Sequence, residues 1–237
     1  NADLEQFAYV ASHDLQEPLR KVASFCQLLE QRYGDQLDER AQSYIAFAVD
    51  GAKRMQALIA DLLEFSRLGR STTSFVPCDL QQIARDAADH LDAAADGASV
   101  EIVGLPTVAG DPTLYGALFQ NLVGNAVKYG RDGVAPHVRI TAARDGQVWR
   151  FRCADNGIGI DPAYRDRVFA IFQRLHGRDA YSGTGIGLAL CRKIVEFSGG
   201  QIWIGDPEDG IGTTVEWTLP VYPTSTTPRQ EALDAVP

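Results

Sequence analysis

The chain has 237 residues, a formal net charge of −9, a pI near 4.9 and 45% hydrophobic residues, enough for one large domain or two small ones with ordinary cores. The acidic balance excludes a nucleic-acid binder, which would carry a basic stripe. Cys26, Cys78, Cys153 and Cys191 are too scattered for a zinc site or a disulfide framework, and no run reaches the roughly 18 apolar residues of a membrane span.

With no signal peptide in front, the chain reads as cytoplasmic, with unpaired thiols and no membrane contact. It opens in what is already helix, twelve residues before His13, as expected of a fragment whose missing part lies N-terminal. Over residues 3–33 apolar residues recur at helical spacing: Phe7, Val10, Leu15, Leu19, Val22, Phe25, Leu28 and Leu29. Within this helix stands Ser12-His13-Asp14-Leu15-Gln16-Glu17-Pro18-Leu19-Arg20. Alone, His13 beside Asp14 reads as a solvated surface pair. Pro18, five residues on, should remove a backbone hydrogen bond and bend the helix. Gly34-Asp35 breaks the pattern, and Asp38 can cap a second helix running to about Leu68. The two make an antiparallel hairpin. Its apolar stripes are too wide for one partner, since Leu15, Leu19, Tyr44 and Leu58 form a second set. A homodimer closing a four-helix bundle is the natural solution.

Ser66 to Ser74 is small and polar and reads as a linker. The domains are therefore set at 1–68 for the hairpin, 69–76 for the linker and 77–221 for a second domain. The Thr- and Pro-rich tail 222–237 is expected to be disordered. In the second domain Asp79 precedes an Ala-rich helix to about Ala95, followed by short strands near 99–103 and 107–110. Asp111-Pro112 supplies a cap and first-turn proline for a helix ending at Gly130. Strands near 137–144 and 147–155 form a hairpin around Asp145-Gly146. A helix near 162–172, a glycine-rich segment to Gly187, a helix to about Ser198 and strands near 201–205 and 213–219 complete the chain. Without a regular βαβ rhythm, this is an α+β sandwich: a mixed sheet with helices on one face.

Three features of the second domain point to a nucleotide. Asn121, Asn125 and Lys128 fall at i, i+4 and i+7 and form one polar stripe on the 112–129 helix. A carboxamide oxygen can ligate Mg²⁺, and a lysine can offset phosphate charge. On strand 147–155, Trp149, Phe151, Cys153 and Asp155 share one face, so Asp155 ends an apolar row and needs a donor. The exocyclic amine of adenine would serve, and Gly157 and Gly159 let the backbone approach a flat base. Gly183-Thr184-Gly185-Ile186-Gly187-Leu188 runs into a helix start, where backbone N–H groups make an anion site. It is neither a Walker A loop nor a Rossmann turn. Each feature is weak alone; their order and spacing carry the specificity.

Asn-x3-Asn-x2-Lys-Tyr, then Asp-x-Gly-x-Gly, then Phe169-x2-Phe172, then Gly-Thr-Gly-x-Gly-Leu closely resembles the catalytic domain of sensor histidine kinases, a Bergerat ATP-binding fold. The stretch around His13 resembles the family's dimerisation and histidine-phosphotransfer hairpin. The likeness covers residues 1 to about 220. The wordings Ser-His-Asp-Leu-Gln-Glu-Pro-Leu and Phe-Gln-Arg-Leu-His-Gly-Arg resemble the phytochrome-type and PAS-linked branch. The resemblance implies that His13 is the phosphoacceptor and Asn125 the Mg²⁺ ligand, with Asn121 beside metal and phosphates. It implies that Lys128 and Tyr129 touch phosphate, Asp155 takes the adenine amine, and Gly157 and Gly159 shape the base pocket. Residues from about Pro162 to Ser182 correspond to an ATP lid, docked by Phe169, Phe172 and Arg174. Gly183, Thr184, Gly185 and Gly187 would line the phosphates, with Leu188 packing nearby.

The expected activity is autophosphorylation of His13 from ATP and relay to an aspartate of a response-regulator receiver domain. Asp14 would hold the imidazole tautomer or take its other proton. ATP hydrolases of the same fold, such as gyrases, mismatch-repair proteins and a heat-shock chaperone, carry a glutamate where Asn121 stands. An amide cannot be that base, so the hydrolase reading loses. One position departs from the pattern. Many members place Thr or Asn four residues after the histidine to orient a dephosphorylating water, and this chain has Glu17 there. Two other readings stay open at this point: a mainly phosphatase-type partner of a regulator, and a non-catalytic ATP-binding scaffold.

Overall fold

A computed structural model describes residues 2–67, 76–92, 97–175, 181, 183–207 and 210–221, with the side chains of 2–15, 64–67 and 90–92 outside the description. The chain divides into two compact units, residues 1–68 with 182–187 and residues 69–181 with 188–237.

In the first unit, α1 (Ala2–Tyr33) and α2 (Glu39–Arg67) form the expected hairpin. Helix α1 continues through Pro18. A single 3₁₀ turn at Gly34–Gln36 reverses the chain. The Asp38 carboxylate accepts the Ala41 N–H at 2.7 Å, satisfying one of the donors a helix start leaves open. The Gln42 side chain donates to the Gly34 carbonyl at 2.8 Å and ties the turn down. Small residues are the buried ones here, Ala23 and Ala52. The larger apolar side chains stay out: Phe25 is 65% and Phe47 69% exposed, with Val22, Leu28, Tyr44 and Met55 also exposed. Val22, Phe25 and Leu29 share one face of α1 by their spacing, and exposed apolar residues set out in this way mark an interaction surface. No helix among the described residues is long and apolar enough to cross a membrane.

The second unit is the predicted α+β sandwich. A five-stranded sheet has the order β2-β4-β5-β7-β6, formed by Ser99–Val103, His137–Asp145, Val148–Asp155, Thr214–Pro220 and Ile202–Gly205. The β2–β4 pair is parallel and the other pairs are antiparallel. The β4–β5 hairpin turns at Gly146, whose φ of 60° suits glycine. Strand β1 (Val76–Asp79) pairs with β3 (Thr107–Gly110) in a separate two-stranded sheet. Sequence reading missed β1, placing Val76 at the end of the linker.

Helices α3 (Leu80–Asp92), α4 (Pro112–Lys128) and α5 (Gly187–Phe197) complete the layer. Asp79 caps α3 through the Gln81 and Gln82 N–H groups. Asp111 caps α4 through Thr113 and Leu114, with Pro112 in the first turn as expected. The inner sheet face contributes Val138, Ile140, Phe151, Cys153, Val215, Trp217 and Leu219, and α4 contributes Tyr115, Leu118, Phe119, Leu122, Val123 and Ala126, all buried. Trp217 stacks on Phe151 at 5.1 Å and meets the Phe119 ring edge-on at 6.1 Å. The outer face is polar: Arg150 and Arg152 point away from the core and pair with Glu216 on the next strand. One-sided burial is what the alternation on 148–155 predicts. The helix expected near 162–172 is two separate 3₁₀ turns, Pro162–Tyr164 and Arg167–Phe169. Asp161 caps the first through Ala163 N–H, and Phe172 takes a left-handed φ of 65°, which an α-helix does not tolerate.

Candidate active site

The sandwich brings one group of predicted residues together at the end of β5. Asp155 is the last residue of that strand and is half-buried. One carboxylate oxygen, Oδ1, accepts both the Gly157 N–H at 2.8 Å and the Thr213 N–H at 2.9 Å. Among the described residues no donor meets Oδ2. Burial pushes the carboxyl above the ordinary aspartate range, while the two backbone hydrogen bonds pull the other way.

The walls of this cradle are backbone. A Cβ on Gly157 would collide with the Tyr129 carbonyl oxygen, and one on Gly212 with the carbonyl of Asp155. The Tyr129 carbonyl accepts the Ile158 N–H at 3.0 Å, which ties the C-terminal end of α4 to the glycine segment. Gly159 takes a φ of 79° and lies close to the Gly212 carbonyl. Asn156 supports this turn from outside: its carboxamide accepts from His137 N–H and donates to the Ala135 carbonyl. A flat, polar-edged group can lie against such a backbone wall with its donor on Oδ2.

Helix α4 presents the rest of the polar stripe. Asn121, Asn125 and Lys128 are half-buried, while Leu118, Leu122 and Ala126 on the other side are fully buried. The Asn121 amide nitrogen donates to the Ala117 carbonyl at 2.9 Å, which leaves its oxygen as an acceptor. Lys128 Nζ donates to the Tyr129 hydroxyl at 2.8 Å and lies 4.3 Å from that ring's centroid. The Tyr129 ring in turn lies 4.9 Å from the ring of Tyr181.

The two phenylalanines given one role by resemblance are in different surroundings. Phe169 is buried beneath the Arg192 guanidinium at 4.3 Å, and Phe172 is 59% exposed. Arg174 donates from Nη2 to the Tyr181 carbonyl at 2.5 Å. Residues 176–180 and 182 of the expected lid lie outside the described residues. In the second glycine cluster Gly183 and Gly185 take φ values of 131° and 76°, and the Thr184 hydroxyl accepts the Ile186 N–H at 3.4 Å. Gly187 opens α5, and Leu188 follows it, half-buried.

His13 and Asp14 lie in α1, with their side chains outside those described. Farther along α1, Gln16, Glu17 and Arg20 line a cavity of about 460 Å³ with Gln56, Ala57 and Ala60 of α2. These three follow His13 by three, four and seven positions and so belong to its helix face. Glu17 pairs with Lys21 at 2.6 Å on an exposed surface.

Sequence reading missed Thr213, Gly212 and Tyr181. The first two sit in Gly210-Ile211-Gly212-Thr213-Thr214, a glycine repeat entering a strand, which is a signal for close backbone approach.

Residues 3–71 match the His Kinase A (phospho-acceptor) domain, and residues 110–223 match the histidine kinase-, DNA gyrase B-, and HSP90-like ATPase family. Cyanobacterial phytochrome A of Nostoc sp. is 48% identical over 93% of this chain and 29% of its own length. Phytochrome-like protein Cph1 of Synechocystis sp. is 44% identical over 93% of this chain and 30% of its own. The chain thus spans about three tenths of these relatives. Among solved structures, full-length ShkA in complex with AMPPNP is similar with a TM-score of 0.67 at 29% identity, over 94% of this chain and 47% of that one. Two domains of the phosphorelay type, joined in the order the motifs demand, place the sequence: the chain belongs to the sensor histidine kinase family.

Proposed function

We propose that the chain transfers the γ-phosphoryl group of ATP to an imidazole nitrogen of His13 and relays it to an aspartate of a response-regulator receiver domain. The observation that carries the nucleotide half is the Asp155 cradle. Both inner donors converge on Oδ1, so Oδ2 is left to receive an external N–H, and glycine backbone forms the wall beside it. An adenine edge supplies that N–H and that flatness.

The phosphates would then run along α4 past Lys128 toward Asn125 and Asn121, and the Gly183–Gly187 segment would line them from the start of α5. The donor set suits Mg²⁺. Among the described residues no cluster of three His, Cys, Asp or Glu side chains could hold a metal ion. What α4 offers is neutral amide oxygen, Asn125 first and Asn121 a turn away, which fits a cation held mainly by substrate phosphates. Such an ion, when bound, aligns the phosphates and offsets their charge.

In the transfer, the His13–phosphorus bond forms as the bond from the γ-phosphorus to the bridging oxygen breaks, and ADP leaves. Neutral imidazole is a competent nucleophile near pH 7. Asp14 would hold its tautomer or accept the ring proton released as phosphohistidine forms. Asn121 cannot serve as a base toward water, so the phosphoryl group goes to a side chain rather than to solvent.

Residues 1–68 would be the dimerisation and phosphotransfer hairpin, 77–221 the catalytic domain and 69–76 the linker between them. The exposed Phe25, Leu28, Tyr44 and Phe47 suit a homodimer closing a four-helix bundle. The hairpin surface beyond His13 would meet the receiver domain. Incubation with ATP labelled at the γ position tests the reading: an acid-labile, alkali-stable label on the chain is expected, and its absence would refute kinase activity.

A further inference from the structure

Tyr181 belongs to none of the nucleotide motifs, yet the structure places it in a short chain of contacts leading to Lys128. Its ring lies 4.9 Å from the Tyr129 ring, inclined at 53°. Its carbonyl is held by Arg174 Nη2 at 2.5 Å, which fixes the backbone from which the ring projects. The Tyr129 hydroxyl accepts from Lys128 Nζ at 2.8 Å. The ammonium also lies 4.3 Å from the Tyr129 ring centroid.

Lysine has a long stem and, unheld, spends much of its time away from any one point. Tyr129 fixes the ammonium only if its own ring is fixed. The Tyr129 backbone is held as the C-cap of α4, and the ring of Tyr181 constrains its side chain. A tyrosine with two side-chain torsions on an anchored backbone is a low-entropy brace. We propose that Tyr181 is a positioning residue for ATP: it braces Tyr129, which holds the Lys128 ammonium where the phosphates of the nucleotide arrive. This rests on the nucleotide reading of the site. Tyr181 acts through Tyr129 and touches no reacting atom. The base end, set by Asp155 and Gly157, does not depend on it.

The test compares ATP and AMP binding by calorimetry on the full chain, in the native sequence and in Tyr181→Ala, Tyr181→Phe, Tyr129→Leu and the Tyr181→Ala/Tyr129→Leu pair. An aromatic pair of this kind is worth about three- to tenfold in an equilibrium constant. Tyr181→Ala should weaken Mg-ATP by that factor and AMP by less, because AMP brings one phosphate to the Lys128 ammonium and ATP brings three. Retained AMP binding also shows that the variant is folded. Tyr181→Phe should match the native chain, because the ring and not the hydroxyl does the bracing. The double variant should be no worse than Tyr129→Leu alone. In γ-phosphate labelling, Tyr181→Ala should raise KM for ATP more than it lowers kcat. Equal losses for ATP and AMP, no loss for either, a Tyr181→Phe variant as weak as Tyr181→Ala, or additive effects in the pair would each overturn the proposal. If the native chain binds neither nucleotide, the nucleotide reading falls first and this inference with it.

Discussion

Asp155 and Thr213 are 58 positions apart in sequence, and the backbone N–H of Thr213 donates to the Asp155 carboxylate at 2.9 Å. The Asp155 N–H in turn donates to the Thr213 carbonyl at 2.9 Å. Strand β5 ends here and β7 begins here, and the two are neighbours in the sheet, so the ladder itself carries the carboxylate to its donor. With Gly157 on the same oxygen, two backbone donors orientate the side chain, and among the described residues no donor meets its second oxygen.

Asp155→Asn should therefore separate binding from folding. The asparagine oxygen can still accept from Gly157 and Thr213, while its NH₂ replaces the outward acceptor with a donor. Loss of a charge-assisted hydrogen bond corresponds to roughly 1.5–3 kcal/mol, so ATP affinity should fall by about tenfold or more. The unfolding midpoint should stay level or rise, because the desolvated charge is gone. Calorimetric titration with ATP and thermal unfolding of the same preparation check both halves.

Burial raises the Asp155 carboxyl above the ordinary aspartate range, and this sets two pH trends of opposite sign. Adenosine, which has no phosphate to titrate, should bind the ionised form. Its affinity should fall as pH drops through the raised value, higher than for an exposed aspartate. Stability runs the other way. Between the ordinary aspartate value and the raised one, the unfolded chain ionises first, so the Asp155 contribution to stability declines as pH rises through that window and is level above it. Both trends should vanish in Asp155→Asn, as titrations of adenosine binding and of unfolding against pH would show.

Gly157→Ala should abolish nucleotide binding and also destabilise the fold. Its new methyl group would meet the Tyr129 carbonyl, an atom fixed by the Ile158 N–H and unable to move aside freely. Overpacking against backbone costs about 1–3 kcal/mol. Urea unfolding should show the midpoint shift, and Gly146→Ala, in an open turn far from any crowding, should retain nucleotide binding.

Glu17→Thr should increase dephosphorylation of a phosphorylated receiver domain. At present a carboxylate stands one helical turn after His13, where it would repel an incoming aspartyl phosphate. The exposed pair with Lys21 is a surface contact, so its loss should change stability by no more than about 0.5 kcal/mol. The rate of receiver dephosphorylation decides the matter: an unchanged rate would show that Glu17 does not limit this activity.

Local signals in the sequence were read well. Asp111-Pro112 starts α4, Asp79 caps α3, Asp38 caps α2, and the alternation on 148–155 puts Phe151 and Cys153 inward with Arg150 and Arg152 outward. What escaped depends on partners distant in sequence. Strand β1 exists because Val76–Asp79 finds Thr107–Gly110, and a short Pro-containing segment shows no periodicity of its own. Residues 162–172 begin with a cap and a proline like a helix, yet stop after one turn, restart, and end at a left-handed Phe172. In the candidate site, the carboxylate at the end of β5 was legible in Asp155, and the residue that orients it was not. Thr213 acts through a backbone N–H, which leaves no mark on side-chain chemistry. Tyr181 likewise gains meaning only when the fold sets it beside Tyr129.

In the proposed reaction His13 accepts the phosphoryl group that the Asp155 site presents. The direct measurement is incorporation of radioactive phosphate from γ-labelled ATP into the native chain and into His13→Gln, with acid and alkali treatment of each product. The native chain should carry label that acid removes and alkali does not, and His13→Gln should carry none while binding ATP as tightly as the native chain. Equal labelling of the two chains, or a label stable to acid, would contradict the claim.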